Sequence, residues 1–234
     1  MATIPHLIYC ANGNPRFAQI AIDAGFHYGA QLPGTVYLSP LWFADQNWKR
    51  PNRDKYMKAL ARYKPYMASV LDWEHEEQLN DILDWAHEAA QFVETIMLIP
   101  KVMGGISKLP RTITNKPVVL GYSVPTRFGG TQLPMWAFDG WPIHLLGGTP
   151  HKQIELWHYF SLRAEVYSVD GNYHQKMAMW CQFWSPNAPY AKDRHWPRLA
   201  EADGKKWEED GIYEAFARSC QNIGAAWNAL FENN

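Results

Sequence analysis

The sequence predicts a single-domain α/β protein folded as a TIM-like (βα)8 barrel. Short apolar runs rich in Val, Ile and Leu recur along the chain, and each ends in glycine, proline or a polar residue. Runs that are apolar on both faces are typical of buried parallel strands. Segments with helical periodicity separate most of these runs, which is the alternation that builds a parallel sheet.

The three most regular runs lie between Lys116 and Asp170. They are PVVLGYSVP (Pro117–Pro125), WPIHLLGGTP (Trp141–Pro150) and AEVYSVDGN (Ala164–Asn172). Glycine or proline after each run forces the chain to turn. Parallel α/β folds keep their chemistry just beyond the carboxyl ends of the strands, which makes the end of each run a candidate site position.

Four further strands are predicted earlier in the chain, at His6–Ala11, His27–Leu32, Tyr66–Leu71 and Thr95–Ile99. The later strand ends, from Asp72 to Asp170, follow one another at intervals of 22 to 29 residues. That interval is about what a strand, a helix and two loops require. Seven strands favour a barrel with one irregular unit, and a doubly wound sheet is the alternative fold.

Helical periodicity predicts six helices, at Arg16–Ala24, Arg53–Tyr63, His75–Phe92, Pro150–Phe160, Tyr173–Phe183 and Ile212–Phe231. Asn14 and Thr149, each followed by proline, are good N-caps. No change of composition marks a second domain. We therefore expect one domain over residues 1–234, with an aromatic loop at 33–52 and a helical C-terminal tail.

The composition restricts the partners and the compartment. The 22 Lys and Arg nearly balance the 23 Asp and Glu, so a nucleic-acid site would have to be a local patch. Three widely spaced cysteines are a poor disulfide framework and fit a reducing cytoplasm. The sequence predicts neither a signal peptide nor a membrane span. Aromatic residues reach 15% and suit either a heavily aromatic core or a base-stacking groove.

Two aspartates end predicted strands. Asp170, in SVDGN, has the position of a nucleophile, a general base or a metal ligand, or alternatively of a helix N-cap, for which Asn172 is better placed. Asp72, in VLDWE, follows an apolar strand, where an acid is costly unless it faces a ligand or a solvent cavity. The alternative role of Asp72 or Glu74 is to cap the next helix.

The long loop at 33–52 carries a third acid, Asp45, between aromatic residues. Trp48 offers a stacking face, and Lys49, Arg50 and Arg53 offer phosphate partners. Basic residues interleaved with aromatics are typical of nucleic-acid loops, although an ordinary solvated loop has the same make-up.

The histidines lack metal-site spacing, so we predict no metal and no cofactor. His144 lies within a strand and is interpreted as a core histidine with satisfied hydrogen bonds. The Gly147–Gly148–Thr149–Pro150 segment is not a P-loop. Its glycines favour the close approach of a ligand or another strand.

The ordered segments LDWE, IPKV, LGYSVP, HLLGGTP and SVDGN resemble the tRNA-guanine transglycosylase superfamily. The similarity covers about Tyr66 to Met177 and is nearest to the DpdA-like DNA 7-deazaguanine transglycosylases of phages and bacteria. HLLGGTP is the most specific segment. The resemblance implies a (βα)8 barrel and an enzyme that exchanges guanine in a polynucleotide for a 7-deazaguanine base.

The resemblance also implies roles for individual residues. Asp170 matches the aspartate nucleophile that attacks the sugar C1′, and Asp72 matches the acid that reads the guanine edge, with Trp73 beside it. Lys101 falls where the family commonly has a base-binding glutamine. The remaining base-contacting positions are Gly121, Tyr122, Ser123, Gly147 and Gly148.

The chain departs from the family in two places. The DSGGF motif of the second catalytic aspartate is absent, and Asp45 is its substitute by position, with Gln31 as the other candidate. The CxCxxC zinc motif of the tRNA enzymes is also missing. This favours DNA as the partner polymer and 7-cyano-7-deazaguanine or a similar base as the co-substrate, in the host cytoplasm if the protein is phage-encoded.

Three alternatives stay open. The chain could exchange guanine in tRNA, or it could be a hydrolytic N-glycosidase that uses the same carboxylates with water as the acceptor. The third alternative is a non-catalytic module that binds nucleic acid through its aromatic residues.

Overall fold

A computed structural model of the protein describes residues 3–11, 13–126, 129–188 and 209–232. These residues form one α/β domain. Its strands are β1 (His6–Cys10), β2 (His27–Leu32), β3 (Phe43–Gln46), β4 (Met67–Trp73), β5 (Thr95–Pro100), β6 (Thr112–Ile113), β7 (Lys116–Ser123), β8 (Pro142–Leu146) and β9 (Glu165–Gly171).

Eight of these strands close into a parallel barrel. They pair in the order β1–β2–β3–β4–β5–β7–β8–β9, and β9 pairs with β1 to complete the ring. The ring closes at β1, where Ile8 is in register with His27 of β2 on one side and with Asp170 of β9 on the other. The short β6 pairs antiparallel with the start of β7, outside the ring. The predicted closed barrel is confirmed, and the alternative of an open doubly wound sheet is wrong.

Six α-helices surround the barrel in the described residues. They are α1 (Pro15–Asp23), α2 (Arg53–Tyr63), α3 (Leu79–Ala89), α4 (Pro150–Phe160), α5 (Tyr173–Ala178) and α6 (Glu209–Glu232). The side chain of Asn14 accepts a hydrogen bond from the backbone N–H of Arg16, and that of Thr149 accepts one from Lys152. Both predicted N-caps are therefore confirmed.

Strand β3 is missing from the sequence prediction, which treats 33–52 as one aromatic loop. The structure divides that stretch, because Phe43 pairs with Gly29 of β2 and with Met67 of β4. The four residues of β3, FADQ, lack the Val, Ile and Leu that mark the other strands. Residues 33–42 join β2 to β3 without a helix, and this is the irregular unit of the barrel.

The barrel interior is packed with apolar side chains from several strands. Ile8, Phe43, Met67, Met97 and Ile99 form this inner cluster and are at most 4% exposed. A second and larger core lies between the strands and the surrounding helices. Inward and outward side chains can therefore be assigned on each strand by the cluster that they join.

Aromatic and imidazole rings fill the amino end of the barrel. The Trp42 ring stacks on His27 at 4.7 Å and on Tyr66 at 5.1 Å between centroids. Nδ1 of His6 lies 3.1 Å from Nε2 of His27, and the Tyr167 hydroxyl donates to the Tyr66 hydroxyl at 3.2 Å. Part of the high aromatic content is thus structural, and the polar side chains gather at the opposite, carboxyl end.

Helix α6 packs against α1 and α5 on the outside of the barrel. The Phe216 ring of α6 meets Phe17 edge-on at 4.8 Å and stacks on His174 at 4.9 Å. The predicted helical tail is confirmed, and it is tied to the barrel by these rings. Within the described residues, none of the helices combines the length and the apolarity that crossing a membrane would take.

Candidate active site

Three aspartates from three different strands face the carboxyl end of the barrel. Asp45 lies on β3, Asp72 on β4 and Asp170 on β9. The side chains of Asp72 and Asp170 are 19% and 13% exposed, so each is largely buried but reachable from solvent. Acids placed at strand ends by three separate segments are typical of a barrel active site.

Two of these acids point inward because their strands are bulged. Between Ser69 and Asp72, β4 contains one residue more than the facing stretch of β5, and this pairs Asp72 with the inward Ile99. Strand β9 has an extra residue at Tyr167, opposite the step from Ile143 to His144 on β8. Bulges of this kind redirect side chains beside active sites.

One oxygen of Asp170 lies within hydrogen-bond distance of two nitrogen atoms. The backbone N–H of Gly147 lies 2.8 Å from Oδ1, and Nε2 of His144 lies 3.3 Å from the same atom. No residue in the described part of the chain donates to Oδ2, which leaves that oxygen available to a ligand.

The backbone around Asp170 is fixed as well. Nε2 of Gln153, a buried residue of α4, donates to the carbonyl oxygens of Gly147 at 2.8 Å and Asp170 at 2.7 Å. Gly147 and Gly148 have φ of 69° and 85°, a region that favours glycine. A Cβ on Gly148 would also lie 2.8 Å from Cγ1 of Val124, so this glycine lets the loop after β8 pass close to the segment after β7.

Asp45 has a different environment from Asp170. Burial, together with the negative charges of Asp170 and Asp72, raises the pKa of Asp45 to about 7. Gln31 Nε2 and Ser69 Oγ each lie 3.4 Å from its carboxyl oxygens and oppose this rise. A carboxyl group with a pKa near neutrality is suited to giving and taking a proton.

Asp72 forms an ion pair with Lys101. The Lys101 Nζ lies 2.6 Å from Oδ2 of Asp72 and 3.0 Å from Oε1 of Glu74. The alternative capping role does not hold for Asp72 or Glu74, because His75 is the N-cap of the short turn before α3 and Gln78 is the N-cap of α3 itself. Asp170 likewise does not cap α5, whose N-cap is Asn172 and lacks a side-chain hydrogen bond.

Gly121 lies in the barrel wall beneath the acids. A Cβ at this position would lie 2.8 Å from both Ile99 Cγ1 and Leu146 Cδ1. Ser123 ends the same strand at the mouth. The Tyr122 ring points outward and meets Phe138 and Phe160 edge-on, so only its backbone faces the site.

Trp73 does not join the site. Its side chain is 1% exposed, packs beside Gly105 and donates from Nε1 to the carbonyl of His75 at 2.8 Å. The bulge that turns Asp72 inward leaves its neighbour on the outer face of β4. The predicted base-binding role of Trp73 therefore has no geometric support.

The basic loop after β3 is only partly available to a nucleic acid. Trp48 is 58% exposed, and Lys49 Nζ lies 5.2 Å from its ring centroid. Arg50 is exposed. Arg53 instead holds α2 to α3, because its Nε bonds Glu88 at 2.8 Å. Three of the four predicted residues, Trp48, Lys49 and Arg50, are therefore exposed at the surface, whereas Arg53 is paired with Glu88.

Sequence reasoning missed His144, Ser168 and Gln153 as parts of this site. His144 is fully buried with satisfied ring nitrogens, as predicted, but one of its partners is Asp170. A polar residue inside an apolar strand was the available signal for both His144 and Ser168. In the described residues, no group of three or more His, Cys, Asp or Glu has a geometry that could hold a metal ion.

Comparison with known protein families identifies a family for this chain. Residues 21–228 match the model of a family described as a family of unknown function, DUF6610. No curated protein and no solved structure matches the chain. The match spans all the barrel strands except β1, together with the three aspartates. The chain therefore belongs to the DUF6610 family.

Proposed function

We propose that this protein is a transglycosylase that exchanges guanine in DNA for a 7-deazaguanine base, with Asp170 as the nucleophile. The observation that carries the proposal is a pair of unlike carboxyl groups at one barrel mouth. Asp170 has one oxygen bound by donors and the other open, while Asp45 has a pKa near 7. Asp170 suits attack on carbon, and Asp45 suits proton transfer.

The first half of the exchange breaks the bond to guanine. Oδ2 of Asp170 attacks C1′ of the deoxyribose, and the bond from C1′ to N9 breaks with its electron pair moving to guanine. Protonated Asp45 supplies the proton that the departing base requires. Negative charge on Asp170 also stabilises the cationic character that develops at C1′.

The second half reverses these events with a different base. Ionised Asp45 takes the N9 proton of the incoming 7-deazaguanine, whose N9 then attacks C1′ and displaces Asp170. Both carboxyl groups return to their starting states, so the cycle needs no further reactant. An exchange that begins and ends with the same protonation state suits a single acid–base residue of pKa near 7.

The neighbouring ion pair supports guanine as the base. Guanine presents an acceptor, O6, beside the N1–H and N2–H₂ donors on its pairing edge. Lys101 offers a donor beside the acceptor oxygens of Asp72, in the matching order. The target base must leave the duplex stack, and the exposed Trp48 ring offers a surface that lowers the cost of unstacking.

The direct test is an incorporation assay. The protein is incubated with guanine-containing DNA and labelled 7-cyano-7-deazaguanine, and the DNA is then digested to nucleosides. We expect the labelled nucleoside from wild-type protein and at least about a 1,000-fold decrease in rate with Asp170→Asn. Asp23→Asn, which changes an exposed aspartate at the end of α1, is the matched control.

Each other outcome selects a different function. Release of guanine without incorporation would identify a hydrolytic N-glycosidase. Incorporation into tRNA run in parallel, but not into DNA, would identify the tRNA reaction. DNA binding without exchange or release, unchanged in Asp170→Asn and Asp72→Ala, would identify a non-catalytic binding module.

A further inference from the structure

His144 is a fully buried histidine with a polar partner on each side. Its Nδ1 lies 2.7 Å from Oγ of Ser168, and its Nε2 lies 3.3 Å from Oδ1 of Asp170. Ser168 is also fully buried. Ser168 and Asp170 are two residues apart on β9, so both face His144 across the β8–β9 pair.

We propose that Ser168 and His144 are positioning residues that form a relay, in which Ser168 fixes the imidazole and the imidazole aims Asp170 at its target. This inference rests on the proposed function, in which Asp170 is the nucleophile. In this proposal the relay determines which carboxylate oxygen of Asp170 reacts and in which direction that oxygen points.

The hydrogen-bond inventory decides the direction of the relay. A carboxylate only accepts, so the nitrogen that faces Asp170 must carry hydrogen. In the neutral imidazole the other nitrogen, Nδ1, is then an acceptor, and the Ser168 hydroxyl donates to it. For a neutral imidazole this arrangement satisfies every polar group in the row Ser168–His144–Asp170, and it selects the Nε2–H tautomer.

The relay acts together with the backbone donor on the same oxygen. Gly147 N–H and His144 Nε2–H both point at Oδ1, and two donors on one oxygen fix the rotation of the carboxylate. Oδ2 is then held toward the mouth without a protein partner among the described residues. Holding a nucleophile in its attacking orientation is worth a large part of a rate enhancement.

Two substitutions of His144 separate the orientation of Asp170 from the packing of the imidazole ring. In His144→Gln the amide nitrogen reaches the place of Nε2 and can still donate to Asp170. In His144→Asn the shorter side chain reaches only the place of Nδ1 and leaves Asp170 without this donor. We expect kcat for guanine exchange to stay within about tenfold of wild type in His144→Gln and to fall about 100-fold in His144→Asn.

KM for DNA should change less than about twofold in both variants, because neither side chain touches the substrate. Ser168→Ala should lower kcat about tenfold, the range seen when a residue that orients a catalytic group is removed. Thermal unfolding of each variant shows whether the fold is retained. Equal losses in His144→Gln and His144→Asn, or losses confined to KM, would overturn the proposal.

A second measurement uses the wild-type protein and no substrate. Long-range ¹H–¹⁵N spectra distinguish the two imidazole tautomers, and the His144 signals are those that disappear in His144→Gln. We expect the Nε2–H tautomer in wild type and a mixture of tautomers in Ser168→Ala. An Nδ1–H tautomer in wild type, or spectra unchanged by Ser168→Ala, would disprove the relay.

The two measurements fail independently. If no substrate is exchanged by wild-type protein, the proposed function fails while the tautomer spectra still decide the relay. If exchange occurs but the tautomer or the order of the two variants is wrong, the relay fails and the transglycosylase proposal stands.

Discussion

Lys101 Nζ lies 2.6 Å from Oδ2 of Asp72, and both side chains are about one-fifth exposed. A partly buried ion pair stabilises a protein little by itself, but removing one partner leaves an uncompensated charge. At the mouth of this barrel the pair places a hydrogen-bond donor beside an acceptor. That arrangement is the basis of a specificity prediction.

Lys101→Met should weaken guanine recognition, and Lys101→Gln should largely preserve it. Methionine has similar length but no donor, whereas the glutamine amide can donate to O6. We expect KM for guanine-containing DNA to rise about tenfold in Lys101→Met with kcat little changed, since one good base contact is worth about 1–3 kcal/mol. Steady-state incorporation kinetics measure both constants. Equal KM values for the two variants would contradict a donor role for Lys101.

Asp45→Asn should stabilise the protein at alkaline pH while abolishing exchange. The pKa of Asp45 is about 7 in the folded protein against an ordinary value of 3.8. The unfolded chain therefore releases this proton first as the pH rises, and stability falls by about 2–4 kcal/mol between about pH 4 and pH 7. Asparagine does not titrate and avoids that loss.

Urea unfolding of wild type and Asp45→Asn at pH 5 and pH 8 measures this difference. The free energies of unfolding should diverge toward pH 8, with the variant more stable. Asp23→Asn, at an exposed site, should show no such divergence. A wild-type protein whose stability relative to Asp45→Asn is independent of pH would show that the Asp45 pKa is not raised.

His174→Phe should make the protein more resistant to acid. His174 is buried, its Nε2 has no hydrogen-bond partner among the described residues, and burial lowers its pKa from 6.5 to about 3. Below pH 6.5 the unfolded chain binds a proton that the folded chain does not, so stability falls by about 2–3 kcal/mol by pH 4.5. Phenylalanine keeps the ring that stacks on Phe216.

The measurement is urea unfolding of both proteins at pH 7 and pH 4.5. Wild type should lose more stability than His174→Phe over this interval. An equal loss in both proteins would assign the acid sensitivity to other groups.

Gly121→Ala should destabilise the barrel wall under the site. The added Cβ would meet Ile99 and Leu146 at 2.8 Å, and overpacking of this kind costs about 1–3 kcal/mol. Gly224→Ala is the matched control, because a Cβ on this residue of α6 meets no atom within 4 Å. Alanine should stabilise that helix position by about 0.5–1 kcal/mol. Thermal unfolding should therefore show a lower Tm than wild type for Gly121→Ala and a higher Tm for Gly224→Ala.

Much of the fold could be predicted because apolar runs report burial directly. Seven of the eight barrel strands are visible as such runs in the sequence. Strand β3 was missed because its four residues include Asp45 and Gln46 and do not form an apolar run. It is a strand because it lies between β2 and β4 and pairs with both.

The site could be predicted only in part. Asp72 and Asp170 are found by their positions at strand ends, but the direction of each side chain depends on a bulge that the apolar pattern does not reveal. The same effect explains Trp73, which follows Asp72 in the chain yet lies on the opposite face. The contact between His144 and Asp170 joins different strands, and periodicity along one strand carries no information about it.

The bulges in β4 and β9 determine which face of its strand the following aspartate, Asp72 or Asp170, occupies. Side chains alternate between the two faces of a strand, so each acid would face away from the barrel lumen if its strand kept the same residues without the bulge. Deletion of Tyr167, the extra residue of β9, would close the bulge and leave Asp170 on the inner face, whereas one residue inserted between Ser168 and Asp170 would turn it outward. When members of the family are aligned, an aspartate whose spacing from the start of its strand differs by one residue keeps the same face only if the bulge changes with it.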